Sequence, residues 1–268
     1  MIRSVIILLS VSLLFLSGTL PEENVLRKLA ELSTKEEYPE VFALTNRELS
    51  EGKSSTKLLY YKALCFRKFG QYNSALYQLR RAMLEYEPNS DIYAECANVF
   101  AINGDHVSAK IYYTKAVELD TNNSYTYNSL GAFYFTCVDN DSLAYINFRL
   151  ALKLDKENIR ANYNLGIYFV HIGKHEEAIP YLLKCTRLNE RSYCAYFNLG
   201  LCYEEIGQNF MAISCFESAL KYNTELYPFE RLNETDIYWE LVDCCKLVGN
   251  DEMYYYYLSV LGICDEEE

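Results

Sequence analysis

Small residues recur along this sequence at a nearly constant spacing of 34 or 35 positions. The first series consists of Ala75, Ala109, Ala144, Ala178 and Ala212. A second series consists of Ala63, Ala97, Gly131, Gly166 and Gly200. A constant period of this size is typical of stacked helical hairpins, in which each unit packs only on its neighbours. The period therefore predicts an all-α solenoid rather than a closed globular domain.

Each period contains two helical patterns that are separated by a turn. Ala178, Leu182 and Cys185 have the i, i+4, i+7 spacing that places three side chains on one face of a helix. A glycine marks the turn in four units, where a left-handed backbone favours it, and the third unit has Asp139 and Asn140 there instead. The turn glycines are Gly70, Gly104, Gly173 and Gly207. The predicted units are 56–89, 90–123, 124–158, 159–192 and 193–226.

The order of residues within a unit carries a family resemblance. In the fourth unit, Leu165-Gly166 is followed after two residues by an aromatic residue, and then by Gly173 and Ala178. Several positions of this order recur in register in all five units, and the order resembles the tetratricopeptide repeat. The resemblance implies a right-handed superhelical solenoid of antiparallel helix pairs. It weakens outside 56–226, so residues 19–55 are interpreted as an N-terminal helical cap. Residues 227–268 are interpreted as a divergent sixth helix pair, a C-terminal cap and an acidic tail.

The N-terminus has the layout of an export signal. Arg3 precedes an apolar run from Val5 to Leu16, and the small residues Ser17 and Gly18 follow. A basic start, a short apolar run and small residues are typical of a secretory signal peptide. Residues 1–18 are therefore predicted to be removed, and the mature protein to be exported as a periplasmic, envelope-associated or secreted protein. An uncleaved anchor is the alternative, although the run is shorter than the about 20 residues of a membrane span.

Charge and cysteine content restrict the class of partner. The formal net charge of −12 disfavours nonspecific nucleic-acid binding, which needs lysine and arginine at the phosphates. The same charge disfavours an anionic membrane surface. Most of the ten cysteines occupy small or apolar core positions of the repeat, as Cys185 does where other units have alanine. These cysteines are predicted to be unpaired and buried.

The sequence contains no pattern that indicates catalysis or a bound cofactor. His171 and His175 are four positions apart, but Gly173 breaks the helix between them, so no metal site is predicted. Nucleophile elbows, phosphate-binding loops and dinucleotide fingerprints do not occur. We therefore expect a protein that is not an enzyme and that uses no cofactor.

A binding surface is expected on the first helices of the repeats, because these helices line the inner face of the superhelix in the family that the chain resembles. The predicted function is a scaffold that binds an extended or helical segment of another protein there. The middle of this surface is apolar, and Glu204 and Asp243 are expected beside it. Each candidate could instead pack against a neighbouring helix. The candidates are Tyr60, Arg67, Asn98, Asn128, Phe135, Tyr163, Ile167, Phe197, Leu201 and Trp239.

Two other functions remain open from the sequence. The protein could be a structural component that self-associates through the four consecutive tyrosines 254–257, which cannot all face inward on one helix. It could also be an accessory subunit of a membrane or envelope complex, held by an uncleaved N-terminus. The predicted partner is thus a protein or peptide, or a second copy of the chain in a homo-oligomer.

Overall fold

The computed structural model of the protein describes residues 22–35, 37–223 and 232–263. These described residues form fourteen α-helices and no β-strand. The all-α fold predicted from the 34-residue period is confirmed. In chain order the helices are α1 (Glu22–Thr34), α2 (Tyr38–Ser50), α3 (Thr56–Lys68), α4 (Tyr72–Glu85), α5 (Ser90–Ile102), α6 (His106–Leu119), α7 (Ser124–Thr136), α8 (Asp141–Leu154), α9 (Ile159–His171), α10 (His175–Leu188), α11 (Tyr193–Glu205), α12 (Asn209–Asn223), α13 (Glu234–Val248) and α14 (Asp251–Val260).

The chain divides into two compact units between Pro88 and Asn89. The first unit contains α1–α4. Its buried carboxylate, Glu48, accepts hydrogen bonds from Arg47 Nη2 at 3.0 Å and from Lys53 Nζ at 2.7 Å. These bonds offset the cost of removing a charge from water. The apolar core of this unit includes Val25, Leu29, Tyr38, Val41, Leu58 and Leu64.

The second unit contains α5–α14 as five antiparallel pairs. Each first helix packs on the second helix of its own pair, and α7, α9, α11 and α13 also pack on the second helix before them. Consecutive first helices α5, α7, α9 and α11 contact one another, whereas consecutive second helices have no comparable contact within the described residues. The core lies between the two helical layers, and at the C-terminal end one cluster extends from Ala178 to Leu258.

The small residues of the first helices mark the closest approach within each pair. A Cβ atom added to Gly131 would lie 2.6 Å from the Phe148 ring, and one added to Gly166 would lie 2.8 Å from Leu182. At Gly200 the added atom would overlap the Phe216 ring. Real Cβ atoms do not approach other atoms this closely, so the missing side chain sets the spacing between the two helices.

The turns inside the repeats have the backbone that the sequence predicts. The four turn glycines have φ between +71° and +78°, the left-handed region that glycine enters without a side-chain penalty. In the third unit Asp139 has φ +54°. Aspartate is one of the few residues with a side chain that tolerates this region. Asp139 therefore takes the place of the turn glycine, whereas Asn140 caps α8 by accepting a hydrogen bond from Leu143 N.

Asparagines at the starts of first helices join neighbouring repeats. Asn123 Oδ1 accepts a hydrogen bond from Thr126 N of α7, and its Nδ2 donates to Ser90 Oγ at the start of α5 at 2.7 Å. Asn158 repeats this arrangement, with Ala161 N as the donor and Ser124 Oγ as the acceptor. One side chain therefore caps the first helix that follows it and bonds the start of the first helix before it, which joins the two repeats.

Several predicted segments lie outside the described residues. These are residues 1–18, the extra residues after the fifth repeat and the acidic tail. The two ends of that extra segment are joined, because buried Asn223 bonds the backbone N and O of Leu232 at 2.8 and 3.1 Å. Among the described helices, none has the length and apolar character that crossing a bilayer requires.

Candidate functional site

The first helices α5, α7, α9 and α11 of the second unit contact one another in turn, and α13 is linked to α11 by a hydrogen bond between Glu204 and Glu240. Side chains that point away from the second helices therefore form a continuous surface across α5, α7, α9, α11 and α13, which we call the first-helix face. Eight of the ten predicted residues lie on these helices: Asn98, Asn128, Phe135, Tyr163, Ile167, Phe197, Leu201 and Trp239. The other two, Tyr60 and Arg67, are half-buried residues of α3 in the first unit.

The middle of the first-helix face is an apolar strip on α9 and α11. It consists of Tyr163, Ile167, Phe197 and Leu201, all of which are half-buried. Tyr163, Phe197 and Leu201 pack on the C-terminal core cluster, and the Phe197 ring centroid lies 5.7 Å from that of Phe216. The core therefore fixes the inner edge of these side chains and leaves the outer edge available to a ligand.

A polar network occupies the face at α5 and α7. Tyr125 Oη donates to Glu95 Oε2 at 2.6 Å, and Asn98 Nδ2 donates to the same carboxylate at 3.0 Å. Tyr113 Oη in turn donates to Asn98 Oδ1 at 2.6 Å. Asn98 is thus held by bonds within the protein, and Glu95 is fully buried. The network fixes two adjacent repeats in register.

Two of the predicted residues are engaged in packing inside this layer. Asn128 is only 4% exposed, and its Oδ1 accepts a hydrogen bond from Asn164 Nδ2 at 2.9 Å. Phe135 is half-buried, with its ring centroid 5.3 Å from that of His171 and 6.3 Å from that of Tyr168. Asn128 therefore packs against a neighbouring helix and does not line an open binding surface, because a partner cannot reach a side chain with so little exposed area.

Carboxyl groups gather at the C-terminal end of the apolar strip. Glu204, in the last turn of α11, hydrogen-bonds Glu240 of α13. Partial burial, followed by the charges of Glu240 and Asp243, raises the pKa of Glu204 to about 7. Burial also raises the pKa of Glu240. The sequence placed Glu204 and Asp243 near the surface but missed Glu240, because the pairing depends on how α13 packs after an insertion.

Trp239 lies next to this acidic group in the sequence and is 43% exposed. It is the only tryptophan of the chain. Trp239 and Asp243 are four residues apart on α13, so they lie on one face of that helix. The apolar strip thus ends at three carboxyl groups and an exposed indole, which we call the acidic end and define as Glu204, Trp239, Glu240 and Asp243.

No metal-binding cluster of three or more histidine, cysteine or acidic side chains occurs among the described residues. His171 ends α9 and His175 begins α10, so the two histidines lie on different helices. Two cysteine thiols are held in their protonated form by burial. Burial raises the pKa of Cys65 and of Cys185 to about 12, which keeps each thiol protonated and unreactive.

The burial of most cysteines agrees with the sequence-based expectation. Cys65 and Cys185 also donate to backbone carbonyls of Tyr38 and Ile159, each at 3.4 Å. Six of the nine cysteines in the described part of the chain are buried: Cys65, Cys96, Cys185, Cys202, Cys244 and Cys245.

The tyrosine run on α14 is split between core and surface, as its helical geometry predicts. Tyr257 is buried and donates from Oη to Glu217 Oε1 at 3.0 Å, whereas Tyr255 and Tyr256 are exposed. Leu258, the next residue, is also buried in the C-terminal core. One side of α14 therefore closes this core, and the other presents aromatic rings to solvent.

Comparison with known proteins identifies the repeat. The family model "Tetratricopeptide repeat" matches residues 159–192 and 195–225. These ranges cover α9, α10, nearly all of α11, and α12, and they include the four residues of the apolar strip. A search of curated proteins finds no match to the sequence.

Solved structures share the fold at low sequence identity. The APC/C hetero-tetramer Cut9-Hcn1 superposes with a TM-score of 0.67 at 18% identity, over 89% of this chain and 46% of the other. PilF of Pseudomonas aeruginosa gives 0.63 at 19% identity, over 77% and 91%. YrrB, described as a TPR protein with an unusual peptide-binding site, gives 0.55 at 24% identity, over 70% and 93%. This chain has the all-helical fold of a tetratricopeptide-repeat solenoid, and two of its repeats match the family model.

Proposed function

We propose that the protein is a non-catalytic scaffold that binds a segment of another protein on the first-helix face of its second unit. The observation that carries the proposal is the apolar strip of Tyr163, Ile167, Phe197 and Leu201. All four side chains are half-buried, and all except Ile167 pack on the core cluster. Aromatic and aliphatic side chains held in this way are typical anchors of protein interfaces. The peptide-binding site of the fold relative YrrB supports the same use of the fold.

The test is a capture experiment with three versions of the exported chain from its native host. The first is wild type, and the second carries Tyr163→Ala, Ile167→Ala and Phe197→Ala. The third, as control, carries Ile111→Ala and Ile146→Ala on the exposed side of second helices. A partner that is retained by the wild type and the control but lost from the strip variant supports the proposal. Equal retention by all three contradicts it, provided that circular dichroism shows the variants to be folded.

A second candidate is self-association through the outer side of α14 and the end of α13. Its specific support is the exposure of Tyr255, Tyr256, Leu247 and Val260 near one end of the second unit. Exposed apolar side chains that cluster in this way are common at contact surfaces. Sedimentation at increasing protein concentration tests it: a monomer at all concentrations rules it out, and a dimer that Tyr256→Ser dissociates supports it.

We also propose that the protein is exported and that its domains have the boundaries predicted from the sequence. We expect cleavage after residue 18, a helical cap over 19–55, repeats over 56–226 and a closing segment over 227–268. The composition of residues 1–18 supports export. Mass spectrometry of the native protein decides between cleavage and an uncleaved anchor. A first residue near 19 rules out the membrane-anchored accessory subunit, and an intact Met1 in the membrane fraction supports it.

A further inference from the structure

A group of carboxyl side chains lies at the C-terminal end of the apolar strip. On α11, Phe197, Leu201 and Glu204 have the i, i+4, i+7 spacing of one helical face. A ligand that lies along α11 therefore meets two apolar side chains and then a carboxyl group. Glu240 and Asp243 of α13 widen this acidic end, and the exposed Trp239 precedes Glu240 on the same helix.

The acidic end has no cationic partner within the described part of the protein. None of the ion pairs there includes Glu204, Glu240 or Asp243. The nearby charges that act on Glu204 are all negative, from Glu240, Asp243 and Glu205. Like charges held this close repel each other. A cation is therefore the group whose arrival would stabilise this end most.

We infer that the first-helix face binds a cationic amphipathic segment of a partner protein, whose apolar side chains cover Phe197 and Leu201 and whose lysine or arginine contacts Glu204, Glu240 and Asp243. The inference rests on the proposed scaffold function and adds the chemistry of the partner. The net charge of −12 supports it, since a negative protein attracts cationic segments from a distance.

The geometry also restricts the sequence of the partner. Seven helical positions separate Phe197 from Glu204, which corresponds to a rise of about 10 Å. An extended peptide covers about 3.3 Å per residue. An extended ligand must therefore carry its basic residue about three positions from its apolar anchor. A helical ligand needs a spacing of about seven positions.

An organic cation fits the acidic end better than a metal ion does. The described residues include no group of three or more acidic, histidine or cysteine side chains that is placed to hold a metal. The strip beside the acidic end is apolar, and a bare metal ion would leave it uncovered. A lysine or arginine on an apolar segment satisfies both parts of the surface at once.

The bound cation would replace the proton that Glu204 and Glu240 share. Carboxylates that gain a cationic partner lose protons more readily, so binding releases a proton near neutral pH. Asp243, Glu205 and Asp236 add negative charge around the pair. Affinity is therefore expected to fall when the pH is lowered from 8 to 6, as the pair becomes protonated and loses its charge.

The test uses a displayed library of random twelve-residue peptides against the full mature protein. One bait is wild type, and the second carries Glu204→Gln and Glu240→Gln. A control with the same change of net charge carries Glu176→Gln and Glu177→Gln on exposed positions of α10. The expected result is enrichment of peptides with a lysine or arginine near an apolar residue on wild type and control, and loss of the basic residue from the peptides that the second bait selects.

The dissociation constants of the best selected peptide for the three proteins then measure how much the two carboxyl groups contribute to binding. We expect about tenfold weaker binding to the Glu204→Gln, Glu240→Gln protein, which corresponds to about 1.4 kcal/mol, and unchanged binding to the control. Enrichment of apolar peptides without a basic residue, sensitive to Phe197→Ala, would overturn the cationic partner and leave the scaffold function intact. If Phe197→Ala and Leu201→Ala affect no selected peptide, both the scaffold face and its cationic partner are wrong.

Discussion

At the scale of single residues, two kinds of glycine have different physical roles in this protein. Gly200 lies in the middle of α11, where a side chain would collide with Phe216, and its φ is an ordinary helical one. Gly207 lies in the turn after α11 with φ +74°, and apart from the adjacent residues of the chain nothing lies within 4 Å of the place of its missing Cβ. The first glycine is required by packing and the second by backbone conformation.

This difference leads to a prediction for alanine substitutions. Gly200→Ala is expected to lower the free energy of unfolding by about 2 kcal/mol through overpacking, and Gly207→Ala by about 1 kcal/mol through backbone strain. Urea denaturation of both variants measures the two values. The added change Phe216→Leu, which creates space, should recover part of the loss for Gly200→Ala only. The same recovery for Gly207→Ala would contradict the assignment.

The second residue-scale prediction concerns the pH dependence of stability. The pKa of Glu204 rises from 4.5 to about 7 in the folded protein. The contribution of Glu204 to the free energy of unfolding is therefore fully present below pH 4.5. This contribution is lost as the pH rises to about 7, because Glu204 ionises at lower pH in the unfolded chain than in the folded protein. Glu204→Gln should be more stable than wild type by about 1–2 kcal/mol above pH 7, after allowance for solvent screening. It should lose this advantage near pH 4.5.

Thermal unfolding between pH 4.5 and 8.5 measures the difference. Glu176→Gln, on an exposed part of α10, is the control and should run parallel to wild type. A constant difference between Glu204→Gln and wild type at all pH values would show that Glu204 is ionised normally in the folded protein.

At the scale of helices, the start of each first helix determines how repeats are joined. Asn158 caps α9 through Ala161 N and donates to Ser124 Oγ at the start of α7 at 2.7 Å. Ser192 occupies the same position before α11 but its side chain makes no capping hydrogen bond. The residue before the first helix therefore makes a capping bond and a bond to the preceding first helix in one repeat, and no capping bond in the next.

Alanine substitution at these two caps should give unequal results. Asn158→Ala removes a helix cap and a bond between repeats, and is expected to cost about 1–2 kcal/mol of unfolding free energy. Ser192→Ala removes neither and should cost less than about 0.5 kcal/mol. Chemical denaturation of the two variants tests this, and equal losses would contradict the role of the asparagine bridge.

At the scale of the whole molecule, stability is distributed along the array because each pair contacts only its neighbours. In the second unit the largest core cluster lies at the C-terminal end, and α14 closes it with Tyr257 and Leu258. The other side of α14 is open to solvent, with Tyr256 and Val260 exposed. Loss of the closing contacts should therefore act on nearby helices and leave distant ones unchanged.

Leu258→Ala tests this local transmission. The substitution is expected to destabilise the C-terminal pairs by about 2–4 kcal/mol and to speed amide hydrogen exchange in α12 and α13. Exchange in α5 and α6 should not change. Val260→Ala, on the exposed side of the same helix, serves as the control and should have no effect on either region. Uniform acceleration over the whole unit would show that it unfolds as a single cooperative body.

The sequence was informative about the features that repeat. Periodic small residues predicted the helix pairs, turn glycines predicted left-handed turns, and the Asp139 substitution was anticipated because aspartate tolerates that backbone. The joining role of Asn123 and Asn158 was missed, although their spacing of 35 matches the period. Features that occur only once in the chain were harder to predict. Asn128 was a candidate for the binding surface, but its side chain is buried and its Oδ1 accepts a hydrogen bond from Asn164 of the next repeat.

By itself, the sequence determined the architecture, since a small residue every 34 or 35 positions is compatible with little other than stacked helix pairs. Only the tertiary structure decided which side chains of the first helices stay accessible and which carboxyl groups meet. Glu204 and Glu240 lie 36 positions apart across an insertion, and no local pattern relates them. Their contact depends on the packing of α13 against the fifth repeat, which is a property of the folded chain.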